Sequence, residues 1–524
     1  LQIYGDFGGA NIQYQNPTSG DLAVVTLVDT TGKSIWTMVS YFTRLNYNYQ
    51  NRYYLTGSFR GDASSLFGPK NRWGYFPSIS AAWNVSNESF YRNIFGDTST
   101  LKFRVSWGRS GNNDIGNYNF IQVMSSPIGS VFGNGTVVSA MYPQDFKDEY
   151  LGWESTSQFN AGADLNLFNG RLAVSANYYN SITFDLLFNQ SISALSGATS
   201  MLTNLRDSKI RNRGFDLQLD GRILAHRDYN FTVGANLSIN RNKVLDLGGA
   251  STIITNGAER SYKTHITMEG QPIGMFYGFK VLGMVRESDM ANIAEDDKFY
   301  NKATKSFPEG YQLKGPARSL SQSIQLQPGD LYFEDLNGDG VVDDDDKQII
   351  GSPHPDFTFG VNMSGRYKAL DFSASFNGSA GNEILDGQDY YIFNMEGSGN
   401  QYKIVTERYR NEQNPGNGKV YKASRGGTQS NSTRLSTFYL QDGSFLRMTN
   451  LTVGYTIPKI DVASRNSIKN ARIYLAVDNA FTLTKYMGYN PEVDYNNGSY
   501  LTPGVDYGKY PLARGYNVGV QITF

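Results

Sequence analysis

The chain has 524 residues, with 47 Lys and Arg against 48 Asp and Glu, and it contains no cysteine. The lack of cysteine excludes a disulfide framework and a cysteine-ligated metal site. The near-neutral charge argues against a nucleic-acid partner, because phosphate binding needs a basic face. No segment approaches the ~18 to 20 consecutive apolar residues of a membrane-spanning helix. Aromatic residues, in contrast, make up 14% of the chain.

Apolar and polar side chains alternate in many segments. Residues 229–240 alternate without an exception. A period of two is typical of β-strands, and its recurrence predicts about thirteen of them, with a fourteenth candidate at residues 22–28. The thirteen predicted strands are 39–49, 53–61, 77–85, 101–109, 158–167, 171–180, 214–222, 229–240, 357–366, 370–378, 446–455, 472–478 and 516–524.

The connections between these strands alternate in length. The short ones are 50–51, 169–170, 224–228 and 366–369, and the long ones are 62–76, 110–157, 181–213, 241–356, 379–445 and 479–515. Short turns at one end and long loops at the other are typical of outer-membrane barrels. A soluble antiparallel sheet is the alternative, but it has no reason to follow this rule. We predict an all-β fold, a transmembrane antiparallel β-barrel with its long loops extracellular.

Residues 335–346 carry the sharpest local motif. Oxygen donors recur at the spacing of an EF-hand loop, and Gly340 occupies the position of the sharp turn. The predicted Ca²⁺ ligands are Asp335, Asn337, Asp339, the Val341 carbonyl, Asp343 and Asp346. Asp346 replaces the usual bidentate Glu, so a weak site of ~10⁻⁴ to 10⁻³ M is expected. We predict a structural Ca²⁺ that pins the loop 241–356, and the alternative is an acidic, solvated turn.

Aromatic residues are also frequent in the long loops. Such side chains stack on sugars and suit partner interfaces, because one end is apolar and the other polar. The candidates for substrate or partner contact are Trp73, Tyr390, Tyr391, Tyr486 and Tyr489. The alternative is the interfacial aromatic girdle of a barrel, and the sequence does not decide between the two.

No catalytic constellation is recognisable, and we expect a protein that is not an enzyme. His226, His265 and His354 are scattered, without metal-ligand spacing or a nearby nucleophile motif. Each is interpreted as a loop or turn residue. The carboxylates expected inside the barrel are interpreted as the polar lining of a lumen.

Several blocks resemble SusC/RagA-type TonB-dependent transporters of Bacteroidetes outer membranes. They occur in the order of that family, and they include the calcium-loop segment and the C-terminal end. The blocks are 51–90, 101–120, 151–179, 270–284, 328–362, 439–458, 471–493 and 504–524. The last strand also resembles the signal that the outer-membrane assembly machinery reads, with Tyr516, Val518, Val520, Ile522 and the terminal Phe524 on one face. Its alternative is an ordinary edge strand.

The resemblance implies that residues 36–524 form the C-terminal 13–14 strands of a 22-stranded, plugged barrel. Residues 1–35 are then an incomplete lead-in, and 283–356 an extracellular loop region. Members of the family carry a plug domain and a TonB box before the barrel, and neither is recognised in this sequence. Contact with TonB is therefore expected through that N-terminal part of the protein. The resemblance further implies a location among the lipids of a Gram-negative outer membrane.

The implied function is import of oligosaccharides or peptides with a SusD-like surface lipoprotein as a lid. A siderophore or vitamin receptor of the same barrel type is the first alternative. A surface enzyme or adhesin on a barrel is the second, although it would need a catalytic constellation that the sequence does not reveal.

Overall fold

The structure is a computed structural model. It describes residues 35–524, apart from short gaps. The gaps are 97, 118, 122–123, 126–129, 133–135, 139–141, 144–145, 194, 196–199, 258–261, 320–325, 396–398, 425–430, 432–433, 461–467, 494, 497 and 524. The candidate strand at 22–28 and the terminal Phe524 therefore lie outside the described residues.

Thirteen long strands follow one another in chain order within one large sheet, so the all-β prediction is confirmed. They are β1 (Met38–Tyr49), β2 (Tyr53–Ser64), β3 (Trp73–Asn84), β4 (Thr100–Asn112), β5 (Glu154–Leu167), β6 (Leu172–Ser191), β7 (Ser200–Ala225), β8 (Tyr229–Asp246), β9 (Phe357–Tyr367), β10 (Leu370–Ala380), β11 (Phe445–Ile460), β12 (Ile468–Thr484) and β13 (Gly515–Thr523). A fourteenth, short strand, Phe146–Lys147, pairs in parallel with β7.

The chain divides into two compact units. The first contains residues up to Trp83, Arg104–Asn160 and Asn180–Arg211. Here β1 and β2 pair antiparallel from Met38↔Ser64 to Tyr49↔Tyr53. Residues 50–52 connect them, and Gln50 and Asn51 adopt φ 53° and 55°, as the central residues of a type I′ turn do. This short turn is one that the sequence predicted.

The second unit contains Asn84–Phe103, Ala161–Tyr179 and Asn212–Phe524. Within it, β8 to β13 pair as antiparallel neighbours. Asn169 and Gly170 have positive φ, 57° and 76°, where the sequence predicts the hairpin turn 169–170. The Asn169-Gly170 pair, a hairpin signal in the sequence, therefore predicted this connection.

One predicted long loop is wrong. Residues 181–213 were expected between two strands of about ten residues, but β6 and β7 extend to Ser191 and begin at Ser200. Asp185 and Asp207 adopt φ 56° and 65° inside these strands. Such irregular residues shift which face the following side chains occupy. The alternation of apolar and polar residues therefore stops at these positions, although the strands continue.

The long connections fold into smaller elements. The α-helices are Ser89–Phe95, Met290–Asp296 and Asp389–Ile392, and the 3₁₀ turns are Val85–Asn87, Glu287–Asp289, Asp344–Asp346, Lys403–Glu407 and Thr437–Tyr439. The short strands are Met124–Ser125, Ser130–Phe132, Thr136–Val138, Tyr142–Pro143, Thr252–Asn256, Lys263–Met268, Met275–Gly278, Val281–Met284, Arg318–Ser319, Leu331–Phe333, Val341–Val342, Gln348–Gly351, Glu383–Asp386, Leu440–Asp442 and Val505–Asp506. Among the described residues, no helix has the length and apolar character to cross a membrane.

Two hydrophobic core clusters lie in the connections of the second unit. The Tyr439 cluster comprises Phe276, Leu385, Tyr390, Leu435, Tyr439 and Val505. The Val342 cluster comprises Phe279, Leu331, Phe333, Val342, Phe393, Met395, Val405, Val420 and Tyr421. In the large sheet, by contrast, apolar residues such as Leu55, Ile79 and Val105 are 42–52% exposed. Exposed apolar strands of this kind suit a lipid surface.

Candidate functional site

The acidic loop 335–346 is closed by its own side chains. Both carboxylate oxygens of Asp335 accept backbone N–H groups, from Gly338 and Gly340, at 2.8 Å each. Asp346 is fully buried and accepts from Leu336 and Asp343 at 2.7 Å each. Gly340 adopts φ 87°, which a residue with a side chain rarely tolerates. The turn therefore has the close-packed backbone that the motif predicts.

The end of this loop is anchored in the protein interior. Val341 and Val342 are buried, and Val342 belongs to the Val342 cluster. A guanidinium N–H of Arg434 donates to the Val342 carbonyl at 3.2 Å, and the same group lies 4.8 Å from the Phe279 ring centre. Burial lowers the pKa of Arg434 to about 10, although the nearby acidic residues Asp344, Asp346 and Asp343 oppose this change. The loop is thus tied to the core by packing and charge together.

The fit of this loop to a metal ion is partial. Burial raises the pKa of Asp335, and repulsion from Asp346 and Asp339 adds to the increase. A bound divalent cation would relieve that repulsion. Within the part of the chain that the structure describes, however, no three His, Cys, Asp or Glu side chains converge closely enough to hold a metal ion. The oxygen donors therefore have the predicted spacing along the chain, but their side chains do not converge on one point. Binding of Ca²⁺ stays a prediction.

A second acidic site was missed by the sequence reasoning. The strand Glu383–Asp386 pairs in parallel with Val505–Asp506, which brings Asp386 beside Asp506. Asp389 follows on a short helix, and all three side chains are almost completely buried. The Gln441 amide donates to Asp386 at 3.1 Å and to Asp389 at 3.2 Å. Asp389 has a second oxygen, Oδ1, with no hydrogen-bond partner among the described residues.

The electrostatics of this site favour a bound proton. Burial raises the pKa of Asp386 and of Asp389, and repulsion between neighbouring carboxylates raises both further. The pair therefore releases its last proton at a higher pH than ordinary carboxyl groups do. Tyr486 donates its hydroxyl to Asp506 at 2.6 Å and completes the polar network. No local sequence motif indicates this site, because its residues come from segments far apart in the sequence.

The predicted contact aromatics separate into two groups. Tyr390 and Tyr486 are buried, with 4% and 5% exposure, and the Tyr390 ring stacks on Tyr439 at 4.3 Å between centres. Tyr391 and Tyr489 are 41% and 72% exposed. Burial leaves the first two little surface for a ligand, so the exposed pair are better placed. Substrate contact stays a prediction for all of these residues.

Trp73 lies on the exposed apolar face of the first unit. Its ring stacks between Tyr41 and Tyr75, at 6.1 and 6.5 Å between centres. A row of exposed, stacked aromatic side chains is the arrangement that the girdle alternative describes. The geometry at Trp73 therefore favours a membrane-interface role over a substrate contact.

The final strand carries the predicted alternation. Tyr516, Val518, Val520 and Ile522 are exposed by 46–77%. β13 pairs with β12 from Asn470↔Thr523 to Asp478↔Gly515. Its role as an assembly signal stays a prediction.

The histidines have different environments. The imidazole of His265 is fully buried, 2.7 Å from the Thr264 hydroxyl and 2.9 Å from the Pro503 carbonyl oxygen. Nε2 of His354 lies 2.6 Å from the Ile273 carbonyl oxygen. His226 is exposed and stacks on Tyr229 at 4.5 Å. These contacts hold the rings of His265 and His354 in place.

Comparison with known proteins places this fold. A family model described as "TonB dependent receptor-like, beta-barrel" matches residues 1–273, which is more than half of the chain. The chain belongs to this family of TonB-dependent receptor-like β-barrels. TonB-dependent receptor P3 of Formosa agariphila is 31% identical over 541 residues, covering 100% of this chain and 49% of the relative.

Two further members bear on the SusC/RagA resemblance, which the comparisons confirm. TonB-dependent receptor SusC of Bacteroides thetaiotaomicron is 28% identical and covers 93% of this chain and 44% of its own. A solved structure of the RagAB peptide transporter superimposes with a TM-score of 0.71 at 25% identity, covering 93% of this chain and 47% of the other. The chain thus spans about half the length of these TonB-dependent relatives.

Proposed function

We propose that the protein to which this chain belongs is an outer-membrane nutrient importer, powered through TonB. One observation carries the proposal: similarity to SusC and to the RagAB transporter covers 93% of the chain, so it includes the long loops as well as the strands. Binding residues lie disproportionately often on loops that a rigid scaffold positions. The relatives carry names of receptors and transporters, which supports import rather than catalysis.

The finer proposal is a SusD-like lipoprotein lid and an oligosaccharide or peptide substrate. The exposed Tyr391 and Tyr489 offer aromatic faces in the loops for such a ligand or partner. The test uses the full-length protein in its own cells. Deletion of its gene should abolish uptake of one labelled glycan or peptide mixture, and the protein should co-purify with a surface lipoprotein. Loss of iron or vitamin uptake alone would instead support the siderophore or vitamin alternative.

We also propose that the loop 335–346 binds Ca²⁺ as a structural ion. The template spacing, the positive φ of Gly340 and the raised pKa of Asp335 support it. The expected binding is weak, ~10⁻⁴ to 10⁻³ M, as in extracellular modules. The ion would hold the acidic turn against the Val342 cluster, and its charged ligands would be Asp335, Asp339, Asp343 and Asp346.

A matched pair of variants tests the calcium proposal in the full-length protein. Asp339→Asn removes the negative charge of a predicted Ca²⁺ ligand. Asp345→Asn removes a negative charge from the same exposed turn, at a position outside the ligand set. Millimolar Ca²⁺ should protect the loop from protease in the unmodified protein and in Asp345→Asn, but not in Asp339→Asn. Equal protection of all three proteins, or of none, contradicts a calcium site.

A further inference from the structure

A cavity of about 560 Å³ opens in the first unit, apart from the acidic sites described above. Its lining includes three cationic side chains, Lys70, Arg109 and Arg206, together with aromatic rings. Tyr150 lies among the cations: the Lys70 ammonium is 4.3 Å from its ring centre and the Arg206 guanidinium 5.7 Å. All three cations are exposed, so an anion from outside can reach them.

The register places this cavity on the apolar face of the strands. Gly61 and Ala63 pair with Tyr75 and Trp73, so these aromatic residues share the face of Leu55 and Ile79. A side chain at Gly108 would meet Ser78 at 3.0 Å, on the opposite face of the sheet. The neighbouring Arg109 therefore points to the apolar face.

Arg109 is held there by contacts within the first unit. Its guanidinium donates to the Ser155 hydroxyl at 3.1 Å and stacks at 4.5 Å on the ring of Phe184. Two hydrogen-bonding edges of a guanidinium can still bind an oxyanion while its plane rests on an aromatic ring. The arginine is thus oriented in advance, which lowers the entropic cost of binding.

Along the apolar face the residue types change in sequence. Ile79 lies within the apolar stretch, Tyr75 and Trp73 come next toward the start of β3, and Lys70 lies in the connection 65–72 that precedes it. This order, from apolar through aromatic to cationic side chains, is the one expected across the boundary between the hydrocarbon core and the headgroups of a membrane. A ligand in this cavity would therefore have its tails on the apolar strands and its charged head at the cations.

We infer that this cavity binds the phosphate-bearing headgroup of a glycolipid in the outer leaflet. The inference rests on the proposed outer-membrane location. Two acidic residues lie nearby: Asp185 lines the cavity, and Glu149 is 3.5 Å from the Lys70 ammonium. The cations outnumber these acids, and an exposed pair such as Lys70 and Glu149 is readily exchanged for a stronger anion. The aromatic rings suit the sugar part of such a lipid.

The test measures lipid retention by the full-length protein after reconstitution into phosphatidylethanolamine nanodiscs. The discs contain either phosphorylated lipid A or the same lipid with its phosphates removed. Native mass spectrometry then counts glycolipid molecules kept on release from the disc. The unmodified protein should retain the phosphorylated form at least about ten-fold better, since one charge-assisted contact is worth about that much. Equal retention of both forms overturns the inference.

Two variants identify the residues. Arg109→Gln combined with Arg206→Gln should lower retention of phosphorylated lipid A by about ten-fold or more. Lys302→Gln combined with Lys305→Gln removes the same charge from an exposed loop elsewhere and should change nothing. Unchanged retention in the first variant contradicts the site.

Inorganic phosphate, added to the protein that has retained phosphorylated lipid A, separates the two sources of phosphate. Headgroup binding predicts that millimolar phosphate fails to displace retained lipid, and complete displacement would instead assign a free-phosphate site. Insertion into nanodiscs is scored first. A protein that does not insert refutes the membrane proposal, whereas one that inserts without preferring phosphate refutes only this inference.

Discussion

The strands of the large sheet and the connections of the second unit differ in how far they bury their apolar side chains. The strands leave apolar side chains such as Leu55 and Val105 nearly half exposed, whereas the connections bury Tyr421, Tyr439 and Phe276 completely. In water only the second arrangement gains hydrophobic stability. The difference indicates that lipid covers the strands, while the connections must build a core of their own.

The connection core should be the more sensitive of the two regions. Tyr439 is fully buried and stacks on Tyr390 at 4.3 Å. Tyr439→Ala should destabilise this region by about 3–5 kcal/mol, because it removes an aromatic ring and leaves a cavity. Hydrogen exchange of the full-length protein should show faster exchange in residues 262–290 and 380–445 and unchanged exchange in the strands. Tyr489→Ala, at 72% exposure, is the control that should change little.

The strand region is sensitive only to charge, and only on one face. Val105→Arg places a cation on the apolar face and should cost about 2–4 kcal/mol if that residue lies near the middle of a membrane. Ser106→Arg, one residue later on the opposite face, should be tolerated. Folding into lipid vesicles, followed by urea titration, compares the two. Equal losses of stability in Val105→Arg and Ser106→Arg would contradict the distinction between a lipid-facing and a polar face of the sheet.

His265 should contribute an acid-side loss of stability to the connection core, opposed by Asp386 and Asp389, whose raised pKa values make their contribution increase as the pH falls. Burial lowers the pKa of this histidine to about 4, below its usual value near 6.5. At this histidine the folded state therefore binds fewer protons than the unfolded state, so the stability that it contributes is complete above pH 6.5 and is lost as the pH falls toward 4. The expected loss is up to about 3 kcal/mol.

A matched pair of histidine variants isolates this effect. His265→Gln should flatten the acid-side decrease in protection of the connection core against hydrogen exchange. His226→Gln, at an exposed position, should leave the decrease as it is. An unchanged pH profile in His265→Gln would assign the acid sensitivity to other groups.

Strict alternation of side chains is a local property, and that is why the sequence predicted the strands. Each of the thirteen predicted segments lies on an observed strand, and the hairpin turn at Gln50 and Asn51 is where expected. Irregular residues escape this pattern. Asp185 and Asp207 have positive φ within long strands, and residues 181–213 were therefore mistaken for a loop.

The sites differ in the same way. The loop 335–346 is one continuous segment, so its donors could be found by spacing. Asp386 and Asp506 meet only because two distant strands pair in parallel, and nothing in either segment indicates its partner. The aromatic residues fall between these cases: composition predicts their abundance, but only the packing separates the buried Tyr390 from the exposed Tyr489.

The central claim, an outer-membrane barrel with its long connections outside, has a direct test because the chain contains no cysteine. Lys302→Cys lies in a long connection and Asn169→Cys in a short turn. Each is introduced into the full-length protein, with any cysteine outside this chain replaced. Intact cells are then treated with a membrane-impermeant maleimide.

A barrel in this orientation predicts that Lys302→Cys is labelled in intact cells, whereas Asn169→Cys is labelled only after the outer membrane is permeabilised. Labelling of Asn169→Cys alone in intact cells, or no difference between the two positions, would contradict it.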